Sequence, residues 1–391
     1  MLEAISHTGR REAVHPPPAG WRGKVASSGW LVQLLRGLID GEQAYAGPYY
    51  AELGITTLCN QGCVGCQFHS TANRGHLFSA EDTRHMKLGH IEKLCDALSR
   101  LGTRELVLTG EGEPLMHPQL PEIVSLCKAA GLYVHLFTNG TLLDENMAAA
   151  LVDTGLDVLR VSLWAASQEE YEKCYPGVDP GKMERTLNGV RLVRSLKAER
   201  ETTLPTVVLT GPLNKHNRKG IEDKIRLAHD VGADAVTFTP FRIWSDEFSS
   251  EALSGAEVDE ACQDLAQSRR LVESLGMSHN VEEAILRFRL GEAFWGDIPC
   301  YIGWLHTHIT VDGTVLPCGA CPIPLGNLDD SGFEDIWNGP EYRAFRARSM
   351  RTPDWALQEE TCNCGYCCFA RLNDRVHRYF RWLAPLVRSS G

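Results

Sequence analysis

Three cysteines within eight residues, Cys59-Asn60-Gln61-Gly62-Cys63-Val64-Gly65-Cys66, constrain this chain more than any other stretch. They follow Glu52-Leu53-Gly54-Ile55-Thr56-Thr57-Leu58, which reads as a short strand, so all three thiols share the loop where that strand ends. Three thiolates at this spacing can close around one iron–sulfur cube, leaving its fourth iron without a protein ligand and open to a small molecule. The alternatives are a structural disulfide, coincidence or a zinc knuckle, and zinc would call for a nearby fourth Cys or His, a role open to His69.

A chain of 391 residues with 43% hydrophobic content can build one sizeable core and a smaller appended domain. Fourteen cysteines without a signal peptide point to metal ligation in a reducing cytoplasm rather than to a disulfide scaffold. No apolar run is long enough for a membrane span. The formal net charge of −11 disfavours nucleic acid as a partner.

Residues 1–28, with the run His15-Pro16-Pro17-Pro18, read as a disordered leader. Apolar residues from Trp30 to Leu38 recur at helical spacing, and residues 80–100 place Ile91, Leu94, Cys95, Leu98 and Leu101 on one helix face. Cys95, Cys127 and Cys262 therefore read as core, where a free Cys behaves as a small hydrophobe. Strand-like stretches at Glu105 to Thr109, Tyr133 to Thr138, Val158 to Leu163, Thr206 to Thr210 and Ala235 to Thr239 alternate with amphipathic helices. With the first strand they make six, and such alternation means an α/β fold with a parallel sheet and chemistry at the C-terminal strand ends. After the second strand comes Gly110-Glu111-Gly112-Glu113, where glycines allow close backbone approach and a carboxylate can accept from an ammonium group.

The cysteine loop after a first strand, followed by this Gly-Glu turn after the second, resembles the radical S-adenosylmethionine (SAM) superfamily. The resemblance covers residues from about 50 to 245 and implies a partial (β/α)6 barrel, assigned to residues 29–245. It implies that Cys59, Cys63 and Cys66 hold a 4Fe-4S cluster whose open iron chelates the amino and carboxylate groups of SAM, and that an electron from the cluster cleaves SAM to a 5'-deoxyadenosyl radical. Gly110, Gly112 and Glu113 then match the motif that contacts the SAM amino group, Asn139 lies near SAM, and Ser162 matches a SAM-binding serine or threonine. Asn214, Asn217 and Pro240-Phe241 fall where related enzymes contact ribose and adenine. One position departs from the pattern: the residue before the third cysteine is often aromatic and here is Gly65, which leaves the adenine contact to backbone or to Phe68.

Residues 246–296 read as linking helices, and the character changes from 297. Thr310-Val311-Asp312-Gly313-Thr314-Val315-Leu316-Pro317-Cys318 reads as a hairpin with Asp-Gly at its turn. Cys300 precedes it, and Cys321, Cys362, Cys364, Cys367 and Cys368 follow, so a zinc ribbon is one reading. The order of cysteine, hairpin, helix and CxxC resembles the SPASM or twitch extension of radical SAM enzymes, assigned to 297–370. It implies one auxiliary 4Fe-4S cluster held by Cys300, Cys318, Cys364 and Cys367, with Cys321, Cys362 and Cys368 as competing ligands. Beyond it, a C-terminal helix over 371–391 carries Arg371, Arg375, Arg378, Arg381 and Arg388; it reads as a solvated face or as a docking surface for an acidic flavodoxin or ferredoxin that supplies electrons.

Enzymes with the twitch form act on small polar metabolites, including aminocyclitols and amino sugars of antibiotic pathways, so the resemblance implies a small-molecule substrate. A radical at a carbinol carbon can take a hydrogen atom on its opposite face and become the epimer, or lose an electron and a proton and become a ketone. The first route needs a weak X–H bond, and Cys174, past the fourth strand and outside both cysteine clusters, is the candidate donor. The expected activity is therefore an epimerase using Cys174, with alcohol dehydrogenation or radical modification of a ribosomal peptide as alternatives.

Overall fold

The computed structural model describes residues 28–70, 84–244, 246–290, 298–350, 362, 367 and 369–380. Helix α1 (Ser28–Asp40) leads to β1 (Tyr50–Gly54), after which strands and helices alternate: α2 (Leu88–Arg100), β2 (Glu105–Thr109), α3 (Leu120–Ala129), β3 (Tyr133–Thr138), α4 (Glu145–Asp153) and β4 (Val158–Ser162). They continue through α5 (Gln168–Cys174), α6 (Gly181–Glu199), β5 (Thr206–Leu213), α7 (Ile221–Val231) and β6 (Ala235–Pro240). Helices α8 (Gly255–Ser274) and α9 (Val281–Leu290) flank the short β7 (Ser278–His279). The C-terminal part holds α10 (Ile302–Leu305), β8 (His306–Ile309), β9 (Thr314–Leu316), β10 (Gly326–Asn327), α11 (Phe333–Trp337), α12 (Pro340–Ser349) and α13 (Ala370–Phe380).

The strands form one sheet in the order β10-β9-β8-β1-β2-β3-β4-β5-β6-β7, parallel from β8 to β7 and antiparallel at the β8–β9–β10 end. The six expected strands are its middle. Of the four further strands, the two that extend the parallel part were hidden for a physical reason: β7 pairs only at Ser278 and His279, too short for a period to register, and β8 joins β1 from more than 250 positions away. The central strands carry apolar runs because both faces are covered, as at Leu106-Val107-Leu108. Ile91, Leu94, Cys95 and Leu98 form the buried face of α2, Cys95 Sγ lies 3.4 Å from Cys127 Sγ, and Cys262 is also buried, so all three are core cysteines.

The C-terminal part is locked to the barrel by polar groups. Burial works against ionisation of Glu52 on β1, yet a hydrogen bond to His308 and the nearby His306 hold its carboxyl down at about 2. Arg346 of α12 is fully buried and donates to the carbonyls of Gly303, Glu42 and Trp337 and to Asn338 Oδ1, tying α10, α11 and the end of α1 together. At the expected Asp-Gly hairpin turn Gly313 has φ +82°, a conformation that favours glycine. Of the arginines read on the last helix, Arg378 pairs with Asp374, whereas Arg381 and Arg388 lie outside the described residues.

Candidate active site

The cysteine loop leaves the C-terminal end of β1, and Thr57 N is fixed to the carbonyl of Arg84 at 3.0 Å. Cys59, Cys63 and Cys66 are all partly exposed. Burial, followed by the charge of Glu113, pushes the Cys59 thiol up to about 12. Burial together with the charges of Cys66 and Cys59 pushes Cys63 well up, and burial raises Cys66. Three thiols that disfavour one another's ionisation need a positive centre among them to become thiolates, and cluster iron is such a centre. His69, the alternative zinc ligand, turns its Nε2 to the carbonyl of Glu111 at 2.8 Å. Among the described residues no three His, Cys, Asp or Glu side chains close around a single-ion position. An all-thiol set of three on one loop suits cluster iron.

The Gly-Glu turn is folded onto that loop. Glu113 N donates to Leu58 O at 2.6 Å, and a Cβ on Gly112 would stand 2.2 Å from the same oxygen, so only glycine lets the two motifs meet. Gly110 is equally confined, its Cβ position lying 2.5 Å from Gly112 O. The Glu113 carboxylate is buried; Oε1 accepts from Leu115 N and Thr138 Oγ1, and Oε2 from Asn139 N at 2.7 Å. Burial still pushes its pKa up to about 6. Among the described residues no cation pairs with it within 4 Å, so a buried anion stands beside the three thiols with its charge uncompensated. An ammonium group fits that position.

The other sequence candidates divide into two kinds. Ser162 stays partly exposed at the end of β4, its Oγ accepting from Trp164 Nε1 at 3.0 Å, and Phe68 lies partly exposed just past Cys66. Asn139 and Asn217 instead spend their side chains on the protein. Asn139 donates to Asn60 Oδ1 at 2.8 Å and accepts from Thr141, which anchors the cysteine loop. Asn217 Nδ2 donates to the carbonyls of Trp164 and Pro212, and Asn214 is buried with its Nδ2 3.7 Å from Cys174 Sγ. Cys174 ends α5 directly behind the cysteine loop, its carbonyl accepting from Val64 N at 3.0 Å. Its thiol is wholly buried, and burial pushes it up to about 11.

A cavity of about 280 Å³ opens beside the loop, and its lining includes Gly65, Trp164, Phe241, Arg242, Trp244 and Arg287. The Arg242 guanidinium lies 4.1 Å over the Trp244 ring. Arg287 Nε is buried with no hydrogen-bond partner among the described residues. Sequence reading missed this lining. Only Pro240-Phe241 hinted at it, because Trp164, Phe241 and Arg287 lie just past β4, just past β6 and on α9 and share no local pattern.

In the C-terminal part Cys300, Cys318 and Cys367 are partly exposed, and Cys300 and Cys367 pack against Ala370. Cys321 N donates to Cys318 O at 3.0 Å, and Cys321 is joined to Cys362 by a disulfide. A bonded pair was not expected from composition. Cys364 and Cys368 lie outside the described residues.

Residues 53–228 match the Radical SAM superfamily model, and residues 300–369 match SPASM, an iron-sulfur cluster-binding domain. The AdoMet-dependent heme synthase of Methanosarcina barkeri is 28% identical over 81% of this chain and 88% of its own length. The PqqA peptide cyclase of Gluconobacter oxydans is 27% identical over 69% and 73%. Streptococcus suis SuiB shares the fold: bound to S-adenosylmethionine it matches with a TM-score of 0.62 at 13% identity, covering 86% of this chain and 75% of that one. Bound to its precursor peptide SuiA it matches with 0.61 at 14%, covering 87% and 74%. The cofactors are accordingly SAM and 4Fe-4S clusters, one of them auxiliary. With three thiols at the end of β1, a buried carboxylate beside them and a second group of cysteines by the neighbouring β8–β9–β10 edge of the same sheet, this chain carries a radical SAM domain over residues 53–228 followed by a SPASM domain over 300–369.

Proposed function

We propose that the enzyme abstracts a hydrogen atom from a carboxylate-bearing substrate, and that this substrate is a peptide. The observation that carries the reading is that Arg242 and Arg287 line the same cavity together with Trp244. Two arginines in one cavity lining favour an anion, since guanidinium groups hold a carboxylate by paired hydrogen bonds, and the Trp244 ring favours an apolar stem. The peptide assignment is supported by the PqqA peptide cyclase, a relative that covers most of this chain. It replaces the small polar metabolite suggested by the twitch resemblance. When bound, the cluster and SAM supply the hard step, removal of a hydrogen atom from an unactivated carbon. The chain's own residues hold and screen: Glu113 faces the ammonium group, the clamped loops fix the thiols, and the arginines orient the substrate.

The test compares a short peptide encoded beside this gene with its Glu→Gln and Asp→Asn versions, read as peptide-dependent 5'-deoxyadenosine release and change in peptide mass. Stimulation by the acidic peptide alone is the expected result. Stimulation by aminocyclitols or amino sugars, with none by the peptide, overturns it.

A second reading, epimerisation with Cys174 as hydrogen-atom donor, is favoured by one observation: the Cys174 backbone is hydrogen-bonded to the cysteine loop, and burial keeps its thiol protonated. Release of unmodified mass with one deuterium from deuterium oxide is its signature.

A further inference from the structure

The middle of the cysteine loop is gripped from three elements. Asn60, next to Cys59, donates through Nδ2 to Thr141 Oγ1 and accepts at Oδ1 from Asn139 Nδ2, both at 2.8 Å. Gln61 Nε2 donates to the hydroxyl of Tyr171 on α5 at 2.7 Å. The peptide between Asn60 and Gln61 is thus pinned by the side chains at both of its ends. Its carbonyl is taken by a cation: Lys182, on the first turn of α6, donates from Nζ to Asn60 O at 2.5 Å.

This contact is not the by-product of an ion pair. Lys182 is half-buried, and its acidic neighbours in the chain, Asp179 and Glu184, pair with Arg185 and Arg191 instead. One turn further along α6, the buried Thr186 donates to the carbonyl of Asn139, the residue whose amide holds Asn60 and whose backbone N holds Glu113. The start of α6 therefore fixes the cysteine loop both directly and through Asn139.

The peptide is trans, so its C=O and N–H point to opposite sides of one plane. With the Asn60 carbonyl turned to Lys182, the Gln61 N–H is turned away from it, and the N–H groups of Gln61 and Asn60 both act on Cys59 in the direction that favours its thiolate. A positive charge on the carbonyl draws electron density along the amide and makes its N–H the stronger donor, as in any chain of hydrogen bonds inside a low-dielectric interior. Hydrogen bonds to the sulfurs and the charge around a cluster set its reduction potential, and here both favour the reduced, more negative form.

We propose that Lys182 is a positioning residue for the SAM-binding cluster: its ammonium, relayed through the Asn60–Gln61 peptide to Cys59, raises the potential at which that cluster takes up its electron. The proposal concerns the cofactor centre and stands independently of the substrate.

The experiment is a redox titration of anaerobically reconstituted full-length protein followed by electron paramagnetic resonance. It reads the signal that is absent when Cys59, Cys63 and Cys66 are all Ala, with iron content as the control for assembly. Lys182→Met keeps the stem but removes the charge; it is expected to shift the reduction equilibrium about tenfold toward the oxidised cluster, about 59 mV lower for one electron, with iron unchanged. Lys182→Arg keeps the charge and a donor and is expected to stay within about threefold of wild type. Arg185→Met removes the same charge from the same helix without touching the loop, and is expected to leave the equilibrium within about twofold. Wild-type potential in Lys182→Met, an equal shift in Arg185→Met, or failure of Lys182→Arg to keep the potential would each overturn the proposal. Loss of iron in Lys182→Met would make the contact structural only and overturn it too.

Discussion

Replacing Glu113 by Gln separates cofactor binding from cluster assembly, because the carboxylate hydrogen-bonds no thiol and is a buried anion without a cation partner among the described residues. Gln keeps the shape and one acceptor but loses the charge. A hydrogen bond to a charged group contributes about 1.5–3 kcal/mol, or roughly 10- to 150-fold in dissociation constant. A loss of at least about tenfold in SAM affinity at pH 7.5, with full iron content, is therefore expected. The pH dependence carries the sharper signature. Burial first, against hydrogen bonds from Asn139, Thr138 and Leu115, sets the carboxyl at about 6, above the ordinary range. The site is thus ionised above about pH 6 and neutral below it, and an ammonium group pairs only with the ionised form. Wild-type affinity should be full at pH 7.5 and fall as pH drops through about 6, by at most tenfold per unit. In Glu113→Gln that dependence should be gone. Equilibrium dialysis at pH 7.5 and 5.5 decides it; wild-type affinity with an intact pH dependence in the variant would refute the assignment.

Two cubes amount to about eight irons per chain, so changing Cys59, Cys63 and Cys66 together to Ala should remove half of the iron of the anaerobic protein; zinc in its place would contradict the cluster reading. Cys174→Ala tests the epimerase reading: deuterium from solvent should vanish from the product while 5'-deoxyadenosine persists, and a variant with unchanged labelling excludes this thiol. Arg346→Leu leaves three buried carbonyls without their donor and should lower stability by roughly 3 kcal/mol or more, read in urea unfolding; a midpoint within error of wild type would show that the C-terminal part is held by other contacts. Asn139→Ala should impair cluster retention before SAM affinity, since its side chain holds Asn60, and a pure SAM defect would return it to the cofactor.

Much of the fold was legible because its signals are local. Strand periodicity and turn chemistry are written over a few residues, so Glu105–Thr109 and Tyr133–Thr138 agree with the strands read from sequence, and Ala235 to Thr239 fell one residue short. The same locality explains Cys95 and Cys127, whose helix faces are set by a 3.6-residue period. Long-range partners are not legible in the same way. The sequence places Asn139 and Asn217 on loops at strand ends, and only the fold shows their amides hydrogen-bonded to Asn60 and to the carbonyls of Trp164 and Pro212.

The sequence by itself determined the cofactor chemistry, because the spacing of three thiols on one loop and of glycines around one carboxylate is a matter of short chain geometry. Only the tertiary structure decided which side chains face that site. Gly65 is empty because a ring from the loop after β6 occupies its space, Cys174 is buried because α5 packs behind the cysteine loop, and arginines from the loop after β6 and from α9 line one cavity. Each of these follows from strands brought side by side by sheet order, and residues far apart in the chain carry no local mark of that meeting.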